Sequence, residues 1–177
     1  MRNIVYYVAT SLDGYIAGEE GDISMFAHEG DLVDQYLYDL ESFDTVIMGR
    51  NTYEFGYRYG LKPGDPAYAH MEHFIFSDSL KLASSHDQVN VVSKDLDKVR
   101  ELKQEVGSDI YLCGGGMFAG WLLENELIDI IKLKVNPVVI GGGVKLFGDY
   151  PVSREMEVTS SRPYDNGRYI TTFKVKN

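Results

Sequence analysis

Short, continuously apolar runs separated by stretches of helical periodicity constrain this chain more than any other feature. Ile4-Val5-Tyr6-Tyr7-Val8-Ala9 lacks polar alternation, as a strand covered on both faces would, and it is expected at the centre of a sheet. Thr45-Val46-Ile47-Met48, Phe74-Ile75-Phe76, Val89-Asn90-Val91-Val92 and Ile110-Tyr111-Leu112 repeat the theme. Between them, Val33, Tyr36, Leu37 and Leu40 predict one stripe of a helix running from Asp31 towards Phe43. Asp95 is placed to cap a second helix carrying Leu96, Val99, Leu102 and Val106. Phe118, Trp121 and Leu122 mark the inner face of a third, lasting to about Glu126. Strands alternating with helices imply crossover connections and a parallel sheet.

The remainder reads differently. Ile128 to Val139 is a long β-rich run broken by Asn136-Pro137, and it is the candidate subunit interface. Met156 to Ser160 and Tyr169 to Val175 flank Pro163-Tyr164-Asp165-Asn166-Gly167, the punctuation of an antiparallel hairpin. No repeat or Pro/Gly/Ser linker divides the chain, so residues 1–177 are expected to form one α/β domain. Its sheet should be mixed and mainly parallel, of about eight strands, with helices on both faces.

Charge and cysteine content exclude several classes of function. With 27 acidic against 17 basic residues the formal net charge is -10, which repels polyanions and argues against nucleic-acid binding. A small phosphate ligand stays possible, because a few close donors outweigh a diffuse field screened within ~10 Å. One cysteine, Cys113, permits neither an internal disulfide nor a multi-cysteine metal site and suits a reducing, cytoplasmic setting. The apolar stretch Ile4 to Ala9 is too short for a signal core or a membrane span. His28, His70, His73 and His86 have no metal-ligand spacing, and no metal is expected.

Two strand-to-helix junctions carry the candidate chemistry. Gly114-Gly115-Gly116 lets the backbone turn sharply and presents helix N–H groups to a phosphate, or it is simply a tight turn. Gly49-Arg50-Asn51-Thr52 offers a guanidinium and a hydroxyl at an equivalent junction, although a lone arginine at a turn is also an ordinary surface residue. Both lie at carboxyl ends of expected parallel strands, where such sheets bind ligands. Gly141, Gly142 and Gly143 precede no clear helix and read as structural, and Asp13 as a carboxylate ordering its own loop. Cys113 reads as a small buried side chain, while Tyr53, Tyr57 and Tyr59 floor a heterocycle pocket or cover the sheet.

Four segments in order, Ser11-Leu12-Asp13-Gly14-Tyr15-Ile16-Ala17, Met48-Gly49-Arg50-Asn51-Thr52-Tyr53-Glu54, Cys113-Gly114-Gly115-Gly116 and Asn136-Pro137-Val138-Val139-Ile140-Gly141-Gly142-Gly143-Val144-Lys145-Leu146-Phe147, resemble the dihydrofolate reductase superfamily. The nearest resemblance is to the reductase domain of the bacterial riboflavin-biosynthesis deaminase-reductase and its stand-alone relatives, over about residues 2 to 175. It implies a three-layer dihydrofolate reductase-like fold and hydride transfer from NADPH, or from NADH, to a small heterocyclic or ribosylamino-pyrimidine metabolite. By position it places Ala9, Ile16 and Ala17 along the nicotinamide, and Gly49, Arg50 and Thr52 at the adenosine phosphates. Ser77 falls near the adenosine ribose, and Gly114, Gly115, Gly116 and Met117 round the pyrophosphate. Asp78 stands where relatives favouring a 2′-phosphate commonly have a small polar or basic residue. Such relatives often form homodimers. The first helix offers Asp34 as proton donor or as a solvated acid, with Asp31 a cap. A module that binds the dinucleotide without catalysis is the contrasting expectation.

Overall fold

Residues 1–176 are described by a computed structural model. In chain order the elements are β1 (Ile4–Thr10), β2 (Tyr15–Ala17), α1 (Asp31–Leu40), β3 (Thr45–Gly49), α2 (Arg50–Phe55), β4 (Glu72–Phe76) and β5 (Val89–Val92). There follow α3 (Leu96–Gln104), β6 (Ile110–Gly114), α4 (Gly116–Glu124), β7 (Ile130–Val135), β8 (Val144–Lys145), β9 (Met156–Pro163) and β10 (Tyr169–Val175). Eight strands make one sheet in the order β5-β4-β3-β6-β1-β7-β10-β9, and β2 with β8 makes a separate two-stranded ladder. β5 through β7 run parallel, while β10 is antiparallel to both β7 and β9. This is the mixed, mainly parallel sheet with a C-terminal hairpin that the apolar runs predict, with β1 near its centre.

The unbroken apolar character of β1 follows from its two covered faces. Ile4 and Tyr6 enter one core with Val99, Leu102, Phe118 and Leu122 of α3 and α4. Val5 and Tyr7 enter the other with Leu32 and Leu40 of α1 and Tyr53 of α2. Helices on both faces are therefore required to keep successive residues of the strand dry.

Three expectations are corrected. On α1 the inward row is Leu32, Tyr36 and Leu40, spaced i, i+4, i+8, with Val33 beside it, whereas Leu37 is 54% exposed because it turns about 100° past Tyr36. Asp95 does cap α3, accepting from Asp97 N at 2.9 Å, but the chain becomes extended at Glu105 and Val106 is fully exposed. The greater part of the Ile128 to Val139 run is interior, and only its end, with Val139 65% exposed, is open to contact. Its strand, β7, is hydrogen-bonded on both edges, by β1 and β10, and Ile128, Ile131 and Val135 are buried in the chain's own core.

Candidate active site

The crevice that organises the site is set by topology. From β1 the chain passes through α1 to β3 on one side, and from the adjacent β6 it passes through α4 to β7 on the other. Neighbouring parallel strands whose connections diverge leave a cleft at their carboxyl ends, where ligands of open α/β sheets bind. The ladder confirms the opening. Pairing of β1 with β6 stops at Tyr6↔Leu112, yet β1 continues beside β7 to Thr10↔Val135. The far end of β1, including Ala9, therefore presents backbone groups without a ladder partner towards Cys113 and Gly114.

At one end of this opening the three glycines have separate roles. Gly114 has φ +139°, a conformation that side chains rarely adopt. A Cβ on Gly116 would lie 2.0 Å from Lys145 O, so this residue lets α4 press against the 145–148 backbone. A Cβ on Gly115 would meet only Thr52 Oγ1, at 3.1 Å. Gly115 caps α4 without a side-chain hydrogen bond, so the first N–H groups of this nine-residue helix have no side-chain acceptor. Beside them lies the Thr52 hydroxyl, and the exposed Met117 folds its sulfur over Gly148.

Further along, Arg50 donates from Nε to Glu54 Oε2 (2.9 Å) and from Nη1 to Ser79 Oγ (3.1 Å). Ser77 Oγ accepts from the Ser79 and Leu80 amides at 3.2 and 3.0 Å, which fixes the turn after β4 beneath that guanidinium. Asp78 Oδ1 accepts from the Lys94 amide at 3.2 Å. Gly49, Arg50, Thr52, Ser77 and the Gly114 to Met117 junction thus line the carboxyl edge of β3, β4 and β6 in succession.

The loop after β1 is tied down by its own polar groups. Tyr15 N donates to Ser11 Oγ at 2.9 Å, and the Asp13 carboxylate accepts from Ile140 N and, at 2.7 Å, from Gly141 N. Bonding from the Ser11 hydroxyl and from these amides holds the Asp13 carboxyl down at about 2. Gly143, at φ +118°, approaches Ala17 O so closely that a Cβ would lie 2.4 Å away. The second glycine cluster thereby presses its loop onto β2 and holds half-buried Ile16 and buried Ala17 at the cleft mouth.

On the α1 face of the same cleft lies a cluster of side chains that the sequence did not single out. Tyr36 and Tyr111 share a hydroxyl contact of 2.6 Å, and Tyr68 Oη lies 3.6 Å from Cys113 Sγ. Burial pushes Tyr36 up to about 12, raises Tyr68 and Tyr111 well above the ordinary phenol, and raises the Cys113 thiol. All four are neutral at pH 7. Into this cluster reaches Lys134 of β7, the register partner of Ala9, with Nζ 3.2 Å from the Tyr36 ring centroid. Burial brings its ammonium down to about 7, opposed only weakly by Cys113.

Asp34 lies outside this group. It is exposed in a groove with Asp31, Gln35, Tyr38, Arg162 and Tyr164, and two positions along a helix turn it about 200° from Tyr36. Tyr53 is buried and tied through its hydroxyl to Gly64 N and Asp65 O, whereas Tyr59 is exposed, so the three tyrosines do not form one floor. His73 is a packing residue, its imidazole pushed down to about 4 by burial and bonded to Met71 O and Tyr68 N. Among the described residues no cluster of His, Cys, Asp and Glu could hold a metal, and no helix is long and apolar enough to cross a membrane.

A doubly covered sheet with its cleft between β1 and β6 is the dihydrofolate reductase-like architecture. The structure superposes on dihydrofolate reductase from Enterococcus faecalis in complex with NADP(H) with a TM-score of 0.66 at 13% identity, covering 99% and 97% of the two chains. Within that architecture the chain belongs to the RibD C-terminal domain family, a family of reductase domains, which it matches over residues 2–170. It is similar to a Shewanella sp. PV-4 structure described as a candidate riboflavin biosynthesis protein, with a TM-score of 0.82, 28% identity and full coverage of both chains. It is also 30% identical over 169 residues to the uncharacterized protein YwjB of Bacillus subtilis strain 168, covering 92% of each.

Proposed function

We propose that the cleft binds a reduced nicotinamide dinucleotide, NADPH ahead of NADH, and that the protein reduces a small heterocyclic or ribosylamino-pyrimidine metabolite. The observation that carries this reading is a coincidence of two openings. The unladdered end of β1 offers amide and carbonyl groups to a carboxamide, and the α4 N-terminus beside Thr52 offers donors to a pyrophosphate. The residues present fit the cofactor, since at Gly114 and Gly115 a Cβ would enter the phosphate cradle beside Thr52 without meeting backbone, and neither residue has one.

When bound, the nicotinamide supplies a hydride. The chain supplies placement and electrostatics. Ala9, Ile16 and Ala17 flank the ring and exclude water, Gly114 to Met117 hold the pyrophosphate, and Gly49, Arg50 and Thr52 hold the adenosine side. Arg50, Ser77 and Ser79 converge where a 2′-phosphate would lie. The Asp78 carboxylate accepts from the Lys94 amide, which ties it towards the end of β5 while Arg50 turns to Ser79. Family membership and the NADP(H) bound to the E. faecalis enzyme favour the same cofactor.

The test has two stages. NADPH at a hundredfold excess over Kd should stabilise the fold by about 2.7 kcal/mol, a shift of several degrees in Tm. NADPH consumption is then followed with 5-amino-6-(5-phosphoribosylamino)uracil and related carbonyl or imine compounds. Binding with no turnover on any of them would favour a sensor or interaction module. No thermal shift at millimolar NADPH or NADH would overturn the reading.

A further inference from the structure

The two lysines of β7 stand two residues apart on the same face of an interior strand, and the fold treats them oppositely. Lys132 Nζ donates to Asp39 Oδ2 at 2.5 Å and lies 4.6 Å from the Tyr7 ring centroid, while the Tyr7 hydroxyl donates to the same carboxylate oxygen at 3.0 Å. Lys134, one step nearer the cleft, has no carboxylate. Among the described residues its Nζ makes neither an ion pair nor a hydrogen bond and faces only the rings of Tyr36, at 3.2 Å, and Tyr7, at 5.8 Å.

Among the described residues, the elements packed round Lys134 bring it no counter-charge. α1 contributes Tyr36, and its Asp39 is already engaged by Lys132. From β1 comes Tyr7, and from β6 come Tyr111 and Cys113. Tyr68 lies in the segment before β4, and β10 places Ile170 directly opposite. The hydroxyls and the thiol are held neutral by burial, so no carboxylate offsets the ammonium and the Tyr36 ring is the group that favours it. A lysine kept from every carboxylate in a desolvated place binds its proton weakly, as a proton-transfer group at neutral pH must. Its register partner is Ala9, at the end of β1 where the ladder with β6 has already stopped.

We propose that Lys134 is the proton donor of this site, acting on a C=N or C=O group held between the nicotinamide position at Ala9 and the Tyr36, Tyr68, Tyr111 and Cys113 cluster. The inference rests on the reductase reading above. In the step, the acceptor carbon gains hydride and the π electrons move to the heteroatom, which takes a proton from Nζ. One C–H and one N–H or O–H bond form on the acceptor as its π bond breaks, and the C–H of the dihydronicotinamide and one N–H of the Lys134 ammonium break. The two electrons come from the reduced nicotinamide, which ends oxidised. Lys134 is left neutral and regains a proton from water. The surrounding hydroxyls suit a polar heterocycle, as donors to ring carbonyls and nitrogens.

The decisive experiment is an NMR pH titration of lysine ε-groups in the whole protein, with the Lys134 signal assigned by its loss in Lys134→Met. Lys134 should titrate near 7 and the exposed lysines above about 10. Saturating NADP⁺, with its cationic ring, should lower that midpoint by about half a unit or more, and NADPH should not. A midpoint above about 9, or one that NADP⁺ leaves unmoved although the dinucleotide binds, overturns the proposal and leaves the reductase reading intact. Failure of either dinucleotide to bind overturns both. With 5-amino-6-(5-phosphoribosylamino)uracil as probe, Lys134→Met should lose about a hundredfold or more in turnover while NADPH affinity stays within threefold. In the wild type kcat should fall as pH rises through about 7. Unchanged turnover in the variant sinks the donor role. A wild type inert towards this probe counts against the pyrimidine substrate, and the titration then decides the lysine.

Discussion

The two halves of the cleft are built from different materials. The half we propose for the phosphates, from Gly49 to Met117 along β3, β4 and β6, is made largely of backbone, with glycines that keep side chains out and helix N–H groups without a side-chain cap. The half we propose for the chemistry, under α1, is made of large side chains: Tyr36 and Tyr111 joined through their hydroxyls, Tyr68 against Cys113, and Lys134 over the Tyr36 ring. A dinucleotide phosphate is the same in every reaction and is met by groups every residue carries. The group to be reduced differs between substrates and is met by groups that can be exchanged. Binding and chemistry should therefore respond separately to mutation.

The largest separable effect is expected at Gly115. A methyl group there enters the phosphate cradle but meets only the Thr52 hydroxyl, so Gly115→Ala should cost about 2 kcal/mol of NADPH affinity, roughly thirtyfold, with little change in the urea midpoint. Equal affinity in the folded variant would reduce the junction to a turn. Next comes Arg50→Ala, which should weaken NADPH about tenfold and NADH much less, because the guanidinium beside Ser79 reaches the 2′-phosphate. Parallel loss for both cofactors would move Arg50 to the shared pyrophosphate.

The smallest effect sharpens the contrast between the two lysines. Lys132→Met leaves Asp39 with only its neutral donors and should lower Tm, by about 1 kcal/mol of stability for a half-buried pair. Lys134→Met should raise Tm. The sign follows from linkage: its pKa in the fold, about 7, lies below the unfolded value of 10.5, so the unfolded chain holds a proton that the fold sheds. This penalty is full below pH 7 and fades as pH rises to 10.5, and the advantage of Lys134→Met should narrow over the same range. Melting curves of both variants at pH 6 and pH 9 measure it. A loss of stability in Lys134→Met at pH 6 would mean that its contact with Tyr36 is structural.

What could be read from the sequence follows the same division. Strands covered on both faces announce themselves as unbroken apolar runs, and Gly114-Gly115-Gly116 is contiguous, so the sheet and the two strand-to-helix junctions were visible. Periodicity does not say where a helix stops, and the extended backbone at Glu105 left Val106 outside although the pattern included it. The short β2 and β8 ladder depends on Gly143 approaching Ala17, a distance in space that no local pattern records. The reactive half is assembled from α1, the segment before β4, β6 and β7. One signal was present: lysines at i and i+2 in Ile-Ile-Lys-Leu-Lys-Val put two charges on one face of an interior strand, and charges withdrawn from water each need a partner or a purpose. Asp34 attracted attention by lying on the right helix, but helical phase turns it to the outer groove.

The central claim is that the cleft between β1 and β6 holds a nicotinamide dinucleotide with its phosphates on the α4 N-terminus. Isothermal titration of NADPH into the wild type and Gly115→Ala tests it most directly. The account predicts saturable one-to-one binding with Kd on the order of 10 µM, weakened about thirtyfold in the variant. Wild-type heats that stay at the dilution level up to millimolar NADPH, or identical isotherms for the two proteins, would contradict it.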